Sequence, residues 1–207
     1  MRAILNRLFT VTLVLLPWSV LPAHAQTTIA LSALGSYQSS TSNSVTRQVR
    51  SRRAGLMAEL RHISNPLVGY DISYSFRGAD QLYEYQGPTC VGSSCPPSGQ
   101  PVNAYAQELA FNWVVSLPVR HLVVFALAGG GFEKFDPTNS QAGGTRSQTE
   151  GVFDYGAGFD WNLLPHLGLR FQYRGNVYKA PALATAFSST DQFTHEAEPV
   201  VGAYFKF

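Results

Sequence analysis

The 207-residue chain has only two cysteines, two methionines and 14% charged residues, and its signs nearly cancel, at 15 Lys+Arg against 13 Asp+Glu. Such a balance excludes a nucleic-acid binder, which needs a clustered basic surface. After residue 25 no stretch approaches the roughly 20 apolar residues of a membrane helix, and 3.6-residue periodicity is missing throughout. Cys90 and Cys95 lie in PTCVGSSCPPSG, which holds no further cysteine or histidine to complete a metal centre. In an exported chain such a pair is expected to close a small disulfide loop, with two free thiols as the alternative.

Export is what the other end suggests. Arg2 and Arg7 precede an apolar run from about Leu8 to Leu21, and Ala23-His24-Ala25 has the small-x-small cleavage pattern. Residues 1–25 are therefore expected to be a signal peptide and residues 26–207 a single domain. Pro17 and Pro22 interrupt the run, which disfavours an uncleaved membrane helix. Cleavage near Ala25 removes two arginines and leaves the mature chain close to neutral.

What the mature chain does have is alternation with period two. Ile29 to Tyr37, Ala54 to Leu60, Val68 to Phe76, Tyr105 to Val115, Phe153 to Trp161, Leu167 to Tyr173 and Val201 to Phe207 each set apolar or aromatic residues against small or polar ones. A further strand with Val123, Phe125 and Leu127 runs into AGGGFEKF, whose glycines suggest a bulge or tight bend. These are eight strands joined by alternating long and short connections. The short ones hold Pro66, Pro118 and Pro165, beside His62, His121 and His166. Long loops on one rim and tight turns on the other are what a sheet closing on itself produces. The expected loops are about 38–52, 78–101, 134–149 and 175–193.

The charges decide which face looks out. Glu59, Arg61, Asp71, Arg77, Glu108, Asp154, Asp160, Arg170, Arg174, Glu196, Glu198 and Lys206 share their faces with Gly, Ala, Ser and Asn, while the opposite faces are aromatic and aliphatic. An eight-stranded barrel has little interior room, so the rings would overfill it. Turned outward, they are solvated by lipid, and the charges pair inside. The reading is all-β: an eight-stranded antiparallel up-and-down transmembrane β-barrel, with a secreted lipocalin-like barrel as rival. Tyr37, Tyr70, Phe76, Tyr105, Trp113, Phe153, Trp161 and Tyr173 would form aromatic girdles. Pro199, on the apolar side of the last strand, is expected at a bulge or near the outer rim.

VGYDISYSF, DYGAGFDWNLLPHLGLRFQYRG and the terminal GAYFKF carry a resemblance to the eight-stranded outer-membrane barrels of the OmpA/OmpX type, the outer membrane protein beta-barrel domain class. The resemblance implies a cell outer-membrane location. It also implies that Phe205 and Phe207 form the terminal signal read by the barrel assembly machinery, beside partners such as outer-membrane lipid and lipopolysaccharide. A monomer is expected, without cofactor, metal or catalytic residue, anchoring loops that meet an unidentified extracellular ligand. Its lumen is expected to be closed by salt bridges, Glu59, Asp71 and Glu108 facing Arg170, Arg174 and Lys206 across the axis. A small porin-like channel is the alternative. HISN, from His62 to Asn65, is similar to the His-x-Ser-Asn motif of PagL-type lipid A deacylases, with Glu59 or Asp71 as the orienting carboxylate. Its place in a proline turn at the inner rim argues against the enzyme. Of the histidines, His195 beside Glu196 and Glu198 is the better-placed candidate for weak metal binding.

Overall fold

The computed structural model describes residues 26–49, 52–65, 67–87, 99–139 and 144–207. The signal segment, Pro66 and both Cys90 and Cys95 lie outside them. Twelve strands follow in order: β1 Gln26–Gln38, β2 Thr41–Ser42, β3 Thr46–Val49, β4 Arg52–Ile63, β5 Val68–Gly78, β6 Gln81–Tyr85, β7 Gln100–Val102, β8 Ala104–Val119, β9 Leu122–Pro137, β10 Gln148–Asn162, β11 Leu167–Lys179 and β12 Phe193–Lys206. Eight of them close a barrel in the order β1-β12-β11-β10-β9-β8-β5-β4, every pair antiparallel. Closure leaves no unpaired edge, which in lipid would cost several kcal/mol for each stranded backbone group.

The inside-out arrangement follows residue by residue. On β1, Ala30, Ser32 and Leu34 are buried while Ile29 and Leu31 are exposed, and the same parity runs through the other barrel strands. Leu31 at 65%, Trp113 at 62% and Phe132 at 70% are among the many large apolar side chains left uncovered. A surface so apolar is far beyond what a water-soluble monomer carries.

Three local expectations are corrected. The glycines after strand β9's apolar start make no bulge: Gly129, Gly130 and Gly131 pair in unbroken register with β8 and β10. They are needed there because a Cβ on Gly129 or Gly131 would run into the backbone of β8. Val123, Phe125 and Leu127 consequently face the lumen, and Val124 and Phe132 face out. Pro199 sits neither at a bulge nor at the rim. It pairs with Tyr173 in the middle of β12, and towards β1 the pairing skips Gly35 and Ser36, then resumes in the same register. A proline has no N–H for the ladder, so one rung lapses without a shift of frame.

Two of the long connections are shorter than expected, and the described residues of the first two carry strands of their own. Strands β9 and β11 extend to Pro137 and Lys179, and β2, β3, β6 and β7 form a separate four-stranded sheet beyond the long-loop rim. The short turns lie at the opposite rim, where Thr28 pairs with Lys206.

Leu31→Arg should cost about 2–4 kcal/mol of folding stability in phospholipid vesicles, as a charge in the middle of a lipid-facing belt does. Urea unfolding checks it, with Tyr37→Arg near the rim costing about 1 kcal/mol or less.

Candidate functional site

The lumen is built by the inward residues of all eight barrel strands, and its charges are stacked in three layers. Nearest the short turns, Phe125 lies beneath two guanidiniums, with Arg61 at 4.0 Å and Arg170 at 5.6 Å from the ring centroid. Arg61 Nε donates to Asp71 at 3.0 Å, and Arg170 donates from Nε and Nη2 to Asp160 at 2.8 and 2.9 Å. Glu59 bridges the two arginines at 3.7 and 3.5 Å and accepts from Gln172 at 3.0 Å.

In the middle layer Arg174 Nη2 reaches Asp154 at 3.1 Å and Glu108 at 3.4 Å, and Nη1 donates to Ser73 at 2.9 Å. Asn176 donates to the other oxygen of Glu108 at 2.9 Å. In the outermost layer Arg77 forks onto Glu196 at 2.7 and 2.6 Å. It also faces Glu133 at 2.5 Å, Glu198 at 3.3 Å and Glu108 at 3.7 Å. Ser36 and Tyr178 both donate to Glu196.

Eight buried carboxyl groups thus share four buried guanidiniums among the described residues. The imbalance lies outward: Arg61 and Arg170 match most of Glu59, Asp71 and Asp160, whereas Arg77 and Arg174 serve Glu108, Glu133, Asp154, Glu196 and Glu198. Neither oxygen of Glu133 or Glu198 has a hydrogen-bond partner, so these two are held by charge alone.

Of the twelve charges expected inside, eleven are buried there. Lys206 is the correction. It stands at the inner mouth, lining with Thr28, Arg61, Asp160 and Tyr204 a cavity of about 160 Å³, and joins none of the lumen's ion pairs. Two of the expected cross-axis contacts form, Glu59 to Arg170 and Glu108 to Arg174, while Asp71 pairs with Arg61 on the neighbouring strand. Glu133 was not among the expected residues. Its signal was the parity of β9: without a bulge, Phe125, Leu127 and Glu133 share one face.

The outer mouth is capped. Tyr83, Val102, Phe135, Tyr178, Leu183 and Phe187 form an apolar cluster directly beyond Arg77's layer. Gln48 ties the small sheet to it by donating to Gln81 at 2.6 Å and to the Pro181 carbonyl at 3.0 Å. The Tyr83 hydroxyl donates to the same two groups and accepts from the Leu183 N–H at 2.8 Å. Burial pushes this phenol up to about 12.

The HISN stretch is dispersed. His62 meets Thr27 at 2.9 Å and leans on Tyr70 on the outward side of the sheet. The Asn65 side chain accepts from the Leu67 and Val68 N–H groups within the turn, and Ser64 donates its N–H to the Val68 carbonyl. Glu59 and Asp71 point the other way, into the lumen. His195 is likewise divided by the sheet from Glu196 and Glu198, and it bonds the Tyr155 hydroxyl at 2.6 Å instead. His166 Nδ1 donates to the Lys206 carbonyl, 2.9 Å away, at a separate turn. Phe205 and Phe207 lie on the outer surface, rings 6.2 Å apart.

A closed eight-stranded barrel with an apolar exterior and an ionic interior defines the fold of the small outer-membrane barrel proteins. No protein-family model matches the chain, and no curated protein does. Solved structures do. Neisserial surface protein A superposes with a TM-score of 0.61 at 11% identity, over 89% of this chain and 99% of that one. OprG from Pseudomonas aeruginosa gives 0.59 at 14%, over 89% and 97%. Ail, the attachment invasion locus protein of Yersinia pestis, in complex with the heparin analogue sucrose octasulfate, gives 0.56 at 14%, over 89% and 99%. The likeness is one of fold.

Arg77→Met should destabilise the barrel by roughly 3–5 kcal/mol, because it strands the carboxylates that share one guanidinium. Glu133→Gln should be neutral or stabilising, since it removes a like charge from that cluster. Urea unfolding followed by gel mobility separates the two, and equal losses would contradict the shared-arginine geometry. For the cap, Tyr83's raised pKa means that its contribution is fully present below about pH 10, the ordinary tyrosine range, and is lost as pH rises to about 12. Urea unfolding should therefore show a loss of stability over that window that is absent in Tyr83→Phe, whose Leu183 amide, deprived of its acceptor, should exchange faster than the parent's already at neutral pH.

Proposed function

We propose that the protein is an integral outer-membrane barrel with a plugged lumen, serving as an anchor that displays the structures at its long-loop rim. The observation that carries this reading is the packing of the lumen. Asp71, Asn112, Glu133, Asp154, Arg170, Arg174 and Asn176 have no exposure at all, so a water-sized sphere touches none of them from either mouth or from within. Three ionic layers and an apolar cap then close the passage, and what is left for interaction is the outer rim.

That rim carries Arg47, Arg52 and Arg53, of which Arg53 pairs with Asp80 and Arg47 stands 3.8 Å from Glu84. An anionic extracellular ligand is the chemistry such residues favour, in line with the sulfated sugar in the Ail structure. The reading includes removal of residues 1–25 near Ala25, recognition of Phe205 and Phe207 by the assembly machinery, a monomer in the membrane and no catalytic role.

Purified protein in a planar bilayer should show little or rare conductance. A stable, long-lived open state in most insertions would reject the plug and promote a porin-like channel that starts from the inner vestibule.

A further inference from the structure

The vestibule at the short-turn mouth has a volume of about 160 Å³. At about 30 Å³ for each water molecule that is room for roughly five waters, or for one small organic ion. It is a dead end. Phe125 lines it with the Arg61 guanidinium 4.0 Å from the ring centroid, and that pair belongs to the first layer of the ionic plug. A ligand must therefore enter and leave by the same mouth.

One wall is cationic, and the strand register shows why. Lys206 of β12 pairs with Thr28 of β1, and Thr28 pairs with Arg61 of β4, so the three stand in one row and all line the cavity. Two strand spacings, roughly 10 Å, separate the outer two. The long stems of lysine and arginine can close that distance over the threonine between them. Lys206 joins none of the ion pairs among the described residues. Arg61 donates from Nε to Asp71, while its buried Nη2 has no hydrogen-bond partner. The Thr28 Oγ1 accepts from Arg170 Nη2 at 3.4 Å, which leaves the hydroxyl proton for another acceptor. Asp160 also lines the cavity, and Arg170 already donates to both of its oxygens.

Across the barrel, Pro118 of β8 with Val123 and Phe125 of β9 make an apolar wall. We infer that the vestibule is a binding site for a small monocarboxylate with a short apolar body. Lys206, Thr28 and Arg61 take the carboxylate, and the β8–β9 wall takes the hydrocarbon. A phosphate has nothing to lay on that wall, and its second negative charge would face Asp160. The same chemistry is offered by a free short-chain acid and by the carboxylate end of a peptide whose last residue is small and apolar. The inference rests on the plugged-lumen reading, because the plug is what ends the vestibule.

The test uses the folded protein in dodecyl maltoside micelles, titrated with butyrate, its neutral isostere butyramide, inorganic phosphate or N-acetylalanylalanine and read from backbone amide NMR shifts. With butyrate the amides of Thr28, Arg61 and Lys206 should shift and saturate in the millimolar range. Butyramide and phosphate should bind about tenfold more weakly or less, and so should butyrate to Lys206→Gln or to Val123→Trp, which fills the cavity. The heat-dependent gel shift reports folding of each variant, and Lys206→Gln at the mouth serves where the larger change does not fold. Dipeptide binding as tight as butyrate supports the inference with a peptide end as the source, and butyrate binding alone supports it with a free acid. Equal binding of butyramide or phosphate, parent-like binding by Lys206→Gln, or no saturable shift with any probe would overturn it. A stable open pore in planar bilayers would bring down the plugged-lumen reading, whereas a closed protein that ignores butyrate would bring down this inference alone.

Discussion

Closure of the backbone is the constraint on which everything else in this molecule depends. A sheet in contact with lipid can leave no N–H or C=O unpaired, and eight strands closed on themselves satisfy that at the cost of a narrow interior. Strand geometry then assigns alternate side chains to two incompatible surroundings. One set meets lipid, so Leu31, Trp113 and Phe132 are uncovered. The other set meets only itself, so every polar group placed inside must find its partner across a space a few side chains wide.

The lumen answers this with unequal numbers. Four guanidiniums, each with five donors in a planar fork, serve eight carboxyl groups, and the shortage is greatest around Arg77. A single pair would bring two charges into register. A guanidinium shared among Glu108, Glu133, Glu196 and Glu198 instead draws β8, β9 and β12 toward β5 together. Removing the arginine then releases four carboxyl groups, while removing one glutamate relieves repulsion among the rest. The stability of the outer half therefore hangs more on one basic residue than on any acidic one.

Much of the barrel was legible in the sequence because parity is a local signal. Val68 to Phe76 needs no knowledge of its neighbours to declare two faces, and eleven of the expected inward charges followed from the same rule. Parity fails where side chains are missing or alike. Through Gly129, Gly130 and Gly131 nothing marks the faces, and Phe125 beside Val124 gives no contrast, so Glu133 was lost with the register of β9. Phe125 is inside because two arginines lie over its ring, a contact made between distant strands that no local pattern contains. Strands β2, β3, β6 and β7 are two to five residues long, too short for alternation to register, and exist because Gln48, Tyr83 and Leu183 join three separate connections. Pro199 shows the converse. A strong local signal for a break is overruled, because the ladder on the β11 side of the strand stays in register.

The two mouths differ in kind, and this difference bears on how such a molecule can work. At the short-turn rim the lumen opens into a small vestibule lined by Lys206, Asp160 and Tyr204. At the other rim an apolar cluster of Tyr83, Phe135, Leu183 and Phe187 lies over the most acid-rich layer. An apolar lid excludes water from the charges beneath it and so strengthens the hold of Arg77 on its carboxylates. It also joins the loop-borne sheet to the barrel as one packed body, through Phe135 of β9 and Tyr178 of β11, whose rings are 5.6 Å apart. Among the described residues, the outer rim is thus a packed layer joined to the barrel. Its polar residues are presented from a platform whose position is set by the same strands that carry the ionic core.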